Sequence, residues 1–336
     1  DMTANNYLLY SVLAAVLPVL AYIGIIYWVD RYEREPLWLL SAAFIWGAVP
    51  SALLAIFFNM MFSLPFYLLF SSSTADFISS GAIAPLVEET TKGLVLFLIL
   101  IIQRHELDSP LDGIIYGAMV GMGFAMIENF LYYISYFQEF GVAGWNELVI
   151  IRGMVFGLNH ALYTAMTGLG IALARMSKSW PVRIAAPLLG LALAMTLHSI
   201  HNVAMSGVVV APLFVGITFG WGGVLVTLLI IILSLYQERR WMRQYLQEEV
   251  AKGTITDNDY RIVHSAASRA RHRLGLLIKE GPRAYFRSGQ YYRRCSELAY
   301  RKRHHAHFND DAGLQAIDSL RQSIVDMRAA ESNLAA

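Results

Sequence analysis

Ala84 to Leu100 reads APLVEETTKGLVLFLIL. Two adjacent glutamates, Glu88 and Glu89, and one lysine, Lys92, stand in a run otherwise apolar enough to lie in lipid. An ionisable group at that depth costs roughly 2.5–3.5 kcal/mol even on lenient insertion scales, so it needs a task or a partner. Lys92 follows Glu88 by one helical turn and Glu89 by three residues, so it can neutralise one carboxylate and leave the other free. The rest of the chain is expected to hold this helix against partners.

The surrounding composition agrees with a lipid setting. Hydrophobic residues make up 56% of the 336 residues and the mean hydropathy is +0.47, too high for a soluble protein. Several runs exceed the roughly 20 apolar residues needed to cross a bilayer. The expected fold class is all-α: a polytopic bundle of about seven transmembrane helices, followed by a C-terminal cytoplasmic helical domain. The net charge of +1 conceals an asymmetry, with 18 Lys+Arg against 12 Asp+Glu from Gln237 onward and 8 against 13 before it. Two domains are expected, a membrane part over 1–236 and a basic tail over 237–336. The single cysteine, Cys295, excludes an intramolecular disulfide. The first apolar run has neither a basic flank nor a small-residue cleavage site, so it is expected to stay as a span.

Seven spans are expected, at about 7–28, 37–61, 81–103, 112–136, 150–174, 183–206 and 209–235. Arg31 and Arg34, Arg104, then Arg175, Lys178 and Arg183 fall in alternate connections. The segments 1–6, 62–80, 137–149 and 207–208 contain no Lys or Arg. By the positive-inside rule the N-terminus lies outside and the tail in the cytoplasm. Arg152, the one basic residue near an outer end, is read as snorkelling to the interface. Ser63 to Ser80 is read as an outer loop or partly re-entrant segment, with Pro65 against a simple continuation of the second span.

Span four carries Gly113, Gly117, Gly121 and Ala125 at four-residue intervals, a stripe that lets a neighbouring backbone come close. It then delivers Glu128 and Asn129. Span five carries His160, Tyr163, Thr164 and Thr167, and span six ends in His198, His201 and Asn202. In the tail, Gly253, Gly281-Pro282 and Asn309 to Gly313 punctuate three or four amphipathic helices. Arg239, Arg240, Arg243 and the run Arg301 to His305 could meet anionic lipid, and a cytosolic protein is the other partner considered there. A solvated bundle is at least as good a reading of these charges. His304, His305 and His307 lack an acidic or cysteine framework for a metal. No nucleic-acid partner is expected.

Depth decides whether the polar residues of the spans can meet. At about 1.5 Å per residue, Glu88, Glu128, His160, His198 and His201 lie about 10, 12, 15, 12 and 8 Å from the outer ends of their helices. One level near the outer face therefore collects two glutamates, two or three histidines and an asparagine. Phe124, one turn before Glu128, is a candidate apolar wall. Such a set can activate a water and stabilise an oxyanion. It also suits Zn2+, since nitrogen and carboxylate ligands with one open position describe hydrolytic zinc sites. Singly, each residue is more often interhelical glue worth roughly 0.6–2 kcal/mol. That plainer reading is preferred for Asn129 and Thr164, and held even for His201. Glu88 and Glu89 remain interchangeable: either can be Lys92's partner and the other the free carboxylate.

DRYEREP (Asp30 to Pro36), EETTK (Glu88 to Lys92), DGIIYGAMVGMGFAMIEN (Asp112 to Asn129), RGMVFGLNHALYTAMTGLG (Arg152 to Gly170) and HSIHN (His198 to Asn202) occur in that order. In this the chain resembles the PrsW family of intramembrane proteases, over spans one to six. That family is grouped with the CAAX prenyl endopeptidase and Abi-like proteins, whose double-glutamate and HxxxN signatures are similar to Glu88-Glu89 and His198 to Asn202. Where those relatives show FxxxH, this chain has Phe124 followed by Glu128. The resemblance implies cleavage of a membrane-embedded protein near the outer face of a bacterial cytoplasmic membrane, with anti-sigma factors as the substrate type. It implies Glu88 or Glu89 as general base, with His198 and Asn202 positioning the water or oxyanion. Glu128 and His160, with His198 and His201, are implied as metal ligands or as an acid and its orienter, and Lys92 and Asn129 as their supports.

Other protease chemistries lack their signatures: HExxH, GxGD and GxSxG are all absent. Two readings from other classes stand beside the endopeptidase. A proton- or metal-coupled transporter needs a polar path to the cytoplasmic side, and no second polar layer is expected below Lys92. A non-catalytic scaffold would act through its tail.

Overall fold

The computed structural model describes residues 6–32, 34–206, 211–309 and 311–335. All regular structure among them is helical. The elements are α1 (Tyr7–Val29), α2 (Leu37–Trp46), α3 (Ala52–Leu69), α4 (Ser72–Ile78), α5 (Ala84–Ile102), α6 (Pro110–Leu148), α7 (Asn159–Met176) and α8 (Trp180–Met205). They are followed by α9 (Pro212–Ala251), α10 (Asp257–Val263), α11 (Ala266–Glu280), α12 (Pro282–Phe308) and α13 (Asp311–Ala335). Three π-helical turns, Gly47–Ser51, Ser79–Ile83 and Val149–Val155, interrupt the series.

Five helical stretches among the described residues are long and apolar enough to cross a membrane: Tyr7–Val29, Leu37–Leu69, Pro110–Met176, Trp180–Met205 and Leu213–Ala251. Pro110–Met176 contains both α6 and α7, and α5 is more heavily charged because it carries Glu88, Glu89 and Lys92. The seven expected spans thus fall on α1, α2–α3, α5, α6, α7, α8 and the first part of α9. The protein is an all-α membrane helix bundle. Of the expected outer segments, 207–208 and all of 1–6 but Asn6 lie outside the described residues, as does Glu33 of DRYEREP.

The chain divides into two compact units, one of 1–29 and 35–231, the other of 30–34 and 232–336. In the first, α6 and α7 pack along the glycine stripe. A Cβ placed on Gly113, Gly117 or Gly121 would stand 2.2, 2.4 and 2.2 Å from the carbonyl oxygens of Gly168, Thr164 and His160. Only glycine lets the two backbones touch, which fixes the register of α7 against α6. The α6 N-terminus is set by a capping box, in which Ser109 Oγ accepts from the Asp112 amide at 3.3 Å and Asp112 Oδ2 accepts from the Ser109 amide at 2.6 Å.

Two expectations are corrected here. The helix runs straight through Pro65 to Leu69, and α4 follows after two residues. A bundle helix tolerates proline, because neighbouring groups and local adjustments satisfy the freed carbonyl. Buried polar groups also occur beyond Lys92: Tyr116 Oη donates to a Glu35 carboxylate, both side chains being buried.

The second unit is a helical domain around Met242, Leu246, Val263, Cys295, Leu298 and Ile324, all fully buried. Its helices break where the sequence is permissive, at Gly253 (φ 74°), Gly281 (φ 87°) and Asn309 (φ 55°). Glu249, fully buried on the last turns of α9, receives Lys302 Nζ at 2.5 Å and both nitrogens of an Arg321 fork at 2.8 and 3.0 Å. Burial alone would raise the Glu249 carboxyl, but the bonds from Arg321, Lys302 and Thr254 outweigh it and hold it at about 2. Arg269 donates to the carbonyls of Arg31 and Tyr32 and to Ser296 Oγ, which gathers the short segment 30–34 into this unit.

Candidate active site

Four helices of the first unit supply the site: α5 brings Glu88, Glu89 and Lys92, α6 brings Glu128 and Asn129, α7 brings Asn159, His160, Tyr163 and Thr164, and α8 brings His198, His201 and Asn202. They border a cavity of about 1070 Å³, lined among others by Asn59, Glu88, Glu128, Arg152, His160 and His198.

Glu89 is fully buried and fully engaged. Its Oε1 accepts from Lys92 Nζ at 2.8 Å and from His198 Nδ1 at 3.0 Å, and its Oε2 accepts from Thr164 Oγ1 at 3.1 Å. Glu88 differs. Its Oε1 accepts from Asn59 Nδ2 at 3.3 Å, while Oε2 is buried with no hydrogen-bond partner, 3.8 Å from Lys92 Nζ and 3.9 Å from His198 Nε2. Lys92 therefore belongs to Glu89, and Glu88 is the carboxylate with spare capacity.

Because a carboxylate only accepts, His198 Nδ1 donates to Glu89; in the neutral tautomer that this bond selects, the Nε2 lone pair lies on the Glu88 side. His160 repeats the arrangement with its nitrogens exchanged. Its Nε2 donates to Glu128 Oε2 at 2.7 Å, and its Nδ1 accepts from Lys92 Nζ at 3.1 Å. Each imidazole thus has a carboxylate behind it and a lone pair in front. Ring contacts fix their planes: His198 stacks on Tyr163 with centroids 4.9 Å apart, and His160 meets His198 edge-on at 5.2 Å.

Glu128 is in turn held by Arg152, whose guanidinium also donates Nε to Asn129 Oδ1 at 2.9 Å and lies 4.0 Å over the Tyr132 ring. The π-helical turn Val149–Val155 carries Arg152 to this position rather than to the lipid interface. The sequence reading as a snorkelling residue gives way to an ion pair, since Glu128 offers a half-buried guanidinium more than a headgroup would. Asn129 and Thr164, taken from sequence as glue, bond to the two charged networks directly. Phe124 walls the lysine rather than the acid, its ring 3.8 Å below Lys92 Nζ. Asn59 and Asn159 are site residues that sequence reasoning missed, and Arg152 is one whose role it misread. For Asn59 the signal was a lone polar side chain in an apolar run.

Two sequence-derived candidates stand aside from the centre. His201 Nδ1 meets Asn159 Nδ2 at 3.2 Å and its ring packs on Phe156. Asn202 Nδ2 donates to the Ser80 carbonyl at 2.9 Å, and Ser199 Oγ donates to the Gly81 carbonyl; both acceptors lie in the π-helical turn Ser79–Ile83. Among the described residues, the group that could hold a metal ion is Glu88, His160 and His198, with one ligand atom from each within 4.8 Å of the others.

A family model described as "PrsW family intramembrane metalloprotease" matches residues 35–217, which contain the whole of this site. The chain belongs to the PrsW family. It is 36% identical over 142 residues to "Protease PrsW" of Clostridioides difficile strain 630, a match covering 41% of this chain and 57% of that relative. It is 31% identical over 196 residues to "Protease PrsW" of Oceanobacillus iheyensis, covering 58% of this chain and 82% of the relative. Against "Protease PrsW" of Bacillus subtilis strain 168 it is 31% identical over 170 residues, 49% of this chain and 68% of the relative. No solved structure matches the chain. The PrsW match ends at residue 217, so 232–336, the larger part of the second unit, lies outside the matched residues.

The donor set fits the metal that the PrsW description implies. Two imidazoles, each oriented by a carboxylate, and one carboxylate oxygen without a hydrogen-bond partner are the ligand types of hydrolytic zinc sites. Charge points the same way: three carboxylates (Glu88, Glu89, Glu128) face two fixed cations (Lys92, Arg152), which leaves one negative charge in excess. The group that could hold a metal includes Glu88 and not Glu128, whose Oε2 meets His160 Nε2 and Arg152 instead.

Proposed function

We propose that the protein is an intramembrane endopeptidase that hydrolyses a peptide bond of a membrane-embedded protein in the cavity at Glu88. The observation that carries this reading is a Glu88 oxygen without a hydrogen-bond partner, in a group with His160 and His198 whose ligand atoms lie within 4.8 Å of one another, beside a cavity of about 1070 Å³. Glu88, His160 and His198 would hold Zn2+, which when bound lowers the pKa of a water and polarises a carbonyl. The free oxygen of Glu88 can also accept a proton from water directly. Glu89 fixes the His198 tautomer through Nδ1, and Glu128, neutralised by Arg152, does the same for His160 through Nε2. Asn59 holds Glu88 Oε1, and Oε2 lies buried between Lys92 and His198. Asn202 shapes the cavity wall through its bond to Ser80 and has a second amide hydrogen for an oxyanion.

The substrate class is a membrane-anchored protein cut near the outer face, of the anti-sigma-factor kind that the family resemblance suggested. The setting is the bacterial cytoplasmic membrane, with the N-terminus outside and the tail in the cytoplasm. A transporter reading gains no support from the deeper polar groups, because Tyr116 and Glu35 bond to each other and neither lines the cavity.

The test is cleavage of a single-span reporter peptide by the purified protein in lipid vesicles, with the cut bond located by mass spectrometry. Glu88→Gln and His198→Ala should each remove cleavage while leaving the thermal unfolding profile in place. Undiminished cleavage by both variants overturns the assignment.

A further inference from the structure

Lys92 occupies a position that the site chemistry does not explain by charge balance alone. Its ammonium is fully buried, 2.8 Å from Glu89 Oε1, 3.1 Å from His160 Nδ1 and 3.8 Å from Glu88 Oε2, with the Phe124 ring 3.8 Å beneath. Of those three polar contacts, His160 Nδ1 is a lone pair the metal reading needs, and Glu88 Oε2 is the unpartnered ligand oxygen. A lone pair that accepts an ammonium hydrogen is not available to a metal ion. A divalent ion beside a fixed ammonium is also repelled strongly in a water-poor interior.

We propose that the Lys92 ammonium is a built-in competitor for the metal position, so that metal enters only as Nζ withdraws from His160. Glu89 bonds the ammonium from one side and the Phe124 ring faces it from another, so contact with His160 can be lost while both of these persist. Lys92 then sets metal affinity: it stabilises the acidic cluster when no metal is present and lowers the affinity of the loaded state. This inference rests on Glu88, His160 and His198 being a metal set.

Zn2+ affinity measured on the purified full chain by competition with a chromophoric chelator tests both ideas separately. The proteins compared are wild type, Lys92→Met, the double variant Lys92→Met with Glu89→Gln, and His198→Ala, each checked for its elution and thermal unfolding profile. The double variant removes the ammonium together with the charge it neutralises, and a glutamine oxygen still accepts from His198, so it carries the test where Lys92→Met alone does not fold. Lys92→Met should bind Zn2+ about tenfold or more tighter than wild type, because a like charge has been removed a few ångströms away. The double variant leaves the net charge unchanged and should still bind tighter than wild type, because no ammonium occupies His160 Nδ1. His198→Ala should bind more weakly than wild type. Equal or weaker binding by both lysine variants, with His198→Ala still impaired, overturns the competitor role and keeps the metal set. Absence of binding in all four proteins, or binding by His198→Ala that equals wild type, overturns the metal set and the competitor role with it.

Discussion

Gly121→Ala tests whether the glycine stripe places the His160 imidazole. A Cβ at residue 121 would stand 2.2 Å from the His160 carbonyl oxygen, 2.6 Å from its carbonyl carbon and 2.8 Å from Ala161 Cα. Ordinary contact begins at 3.4 Å, so α7 must move away from α6 by about 1.2 Å (3.4 − 2.2) at the residue that carries the imidazole. All three obstructing atoms are backbone, so no rotamer change relieves the clash. Overpacking of this kind costs about 1–3 kcal/mol. The same displacement pulls His160 from Glu128 and Lys92, and a misplacement near 1 Å lowers turnover by roughly 10²-fold. The assay is kcat/KM for the vesicle-borne reporter, alongside the unfolding temperature. Gly24→Ala is the control, because no atom lies within 4 Å of the added methyl and alanine only improves helix propensity there. Activity of Gly121→Ala within about threefold of wild type, at an unchanged unfolding temperature, would refute the claim that this contact sets His160.

Two further outcomes follow from the ion pairs. Arg152→Ala strands Glu128 beside His160. Because the two side chains are 21% and 19% exposed, the loss should be about 2–3 kcal/mol, below the roughly 3–5 of a fully buried pair. Arg152→Lys should recover part of it; an unfolding temperature unaffected by Arg152→Ala contradicts the pairing. In the second unit, the folded Glu249 carboxyl lies at about 2 against an ordinary 4.5, so its bonds with Lys302 and Arg321 contribute fully above pH 4.5. That contribution is lost as pH falls through this window toward 2. Glu249→Gln should flatten the acid limb of the calorimetric transition, and an acid limb identical to wild type counts against it.

Some of this protein was legible in one dimension. Hydropathy, the clean alternation of basic connections and the breaks at Gly253, Gly281 and Asn309 determined a membrane helix bundle with a helical tail, since each depends only on local composition or backbone freedom. The site's membership was nearly legible too, because helical rise alone puts Glu88, Glu128, His160 and His198 at one depth. The roles were not. Glu88 and Glu89 are neighbours in sequence but about 100° apart around a helix, so only the packing of α5 against α7 and α8 decides that Glu89 faces Thr164, His198 and Lys92 while Glu88 faces the cavity. Arg152 likewise reads as an interfacial cation until a π-helical turn carries it to Glu128. Charge pairing depends on a few ångströms and on direction, and those are fixed by which helix faces meet.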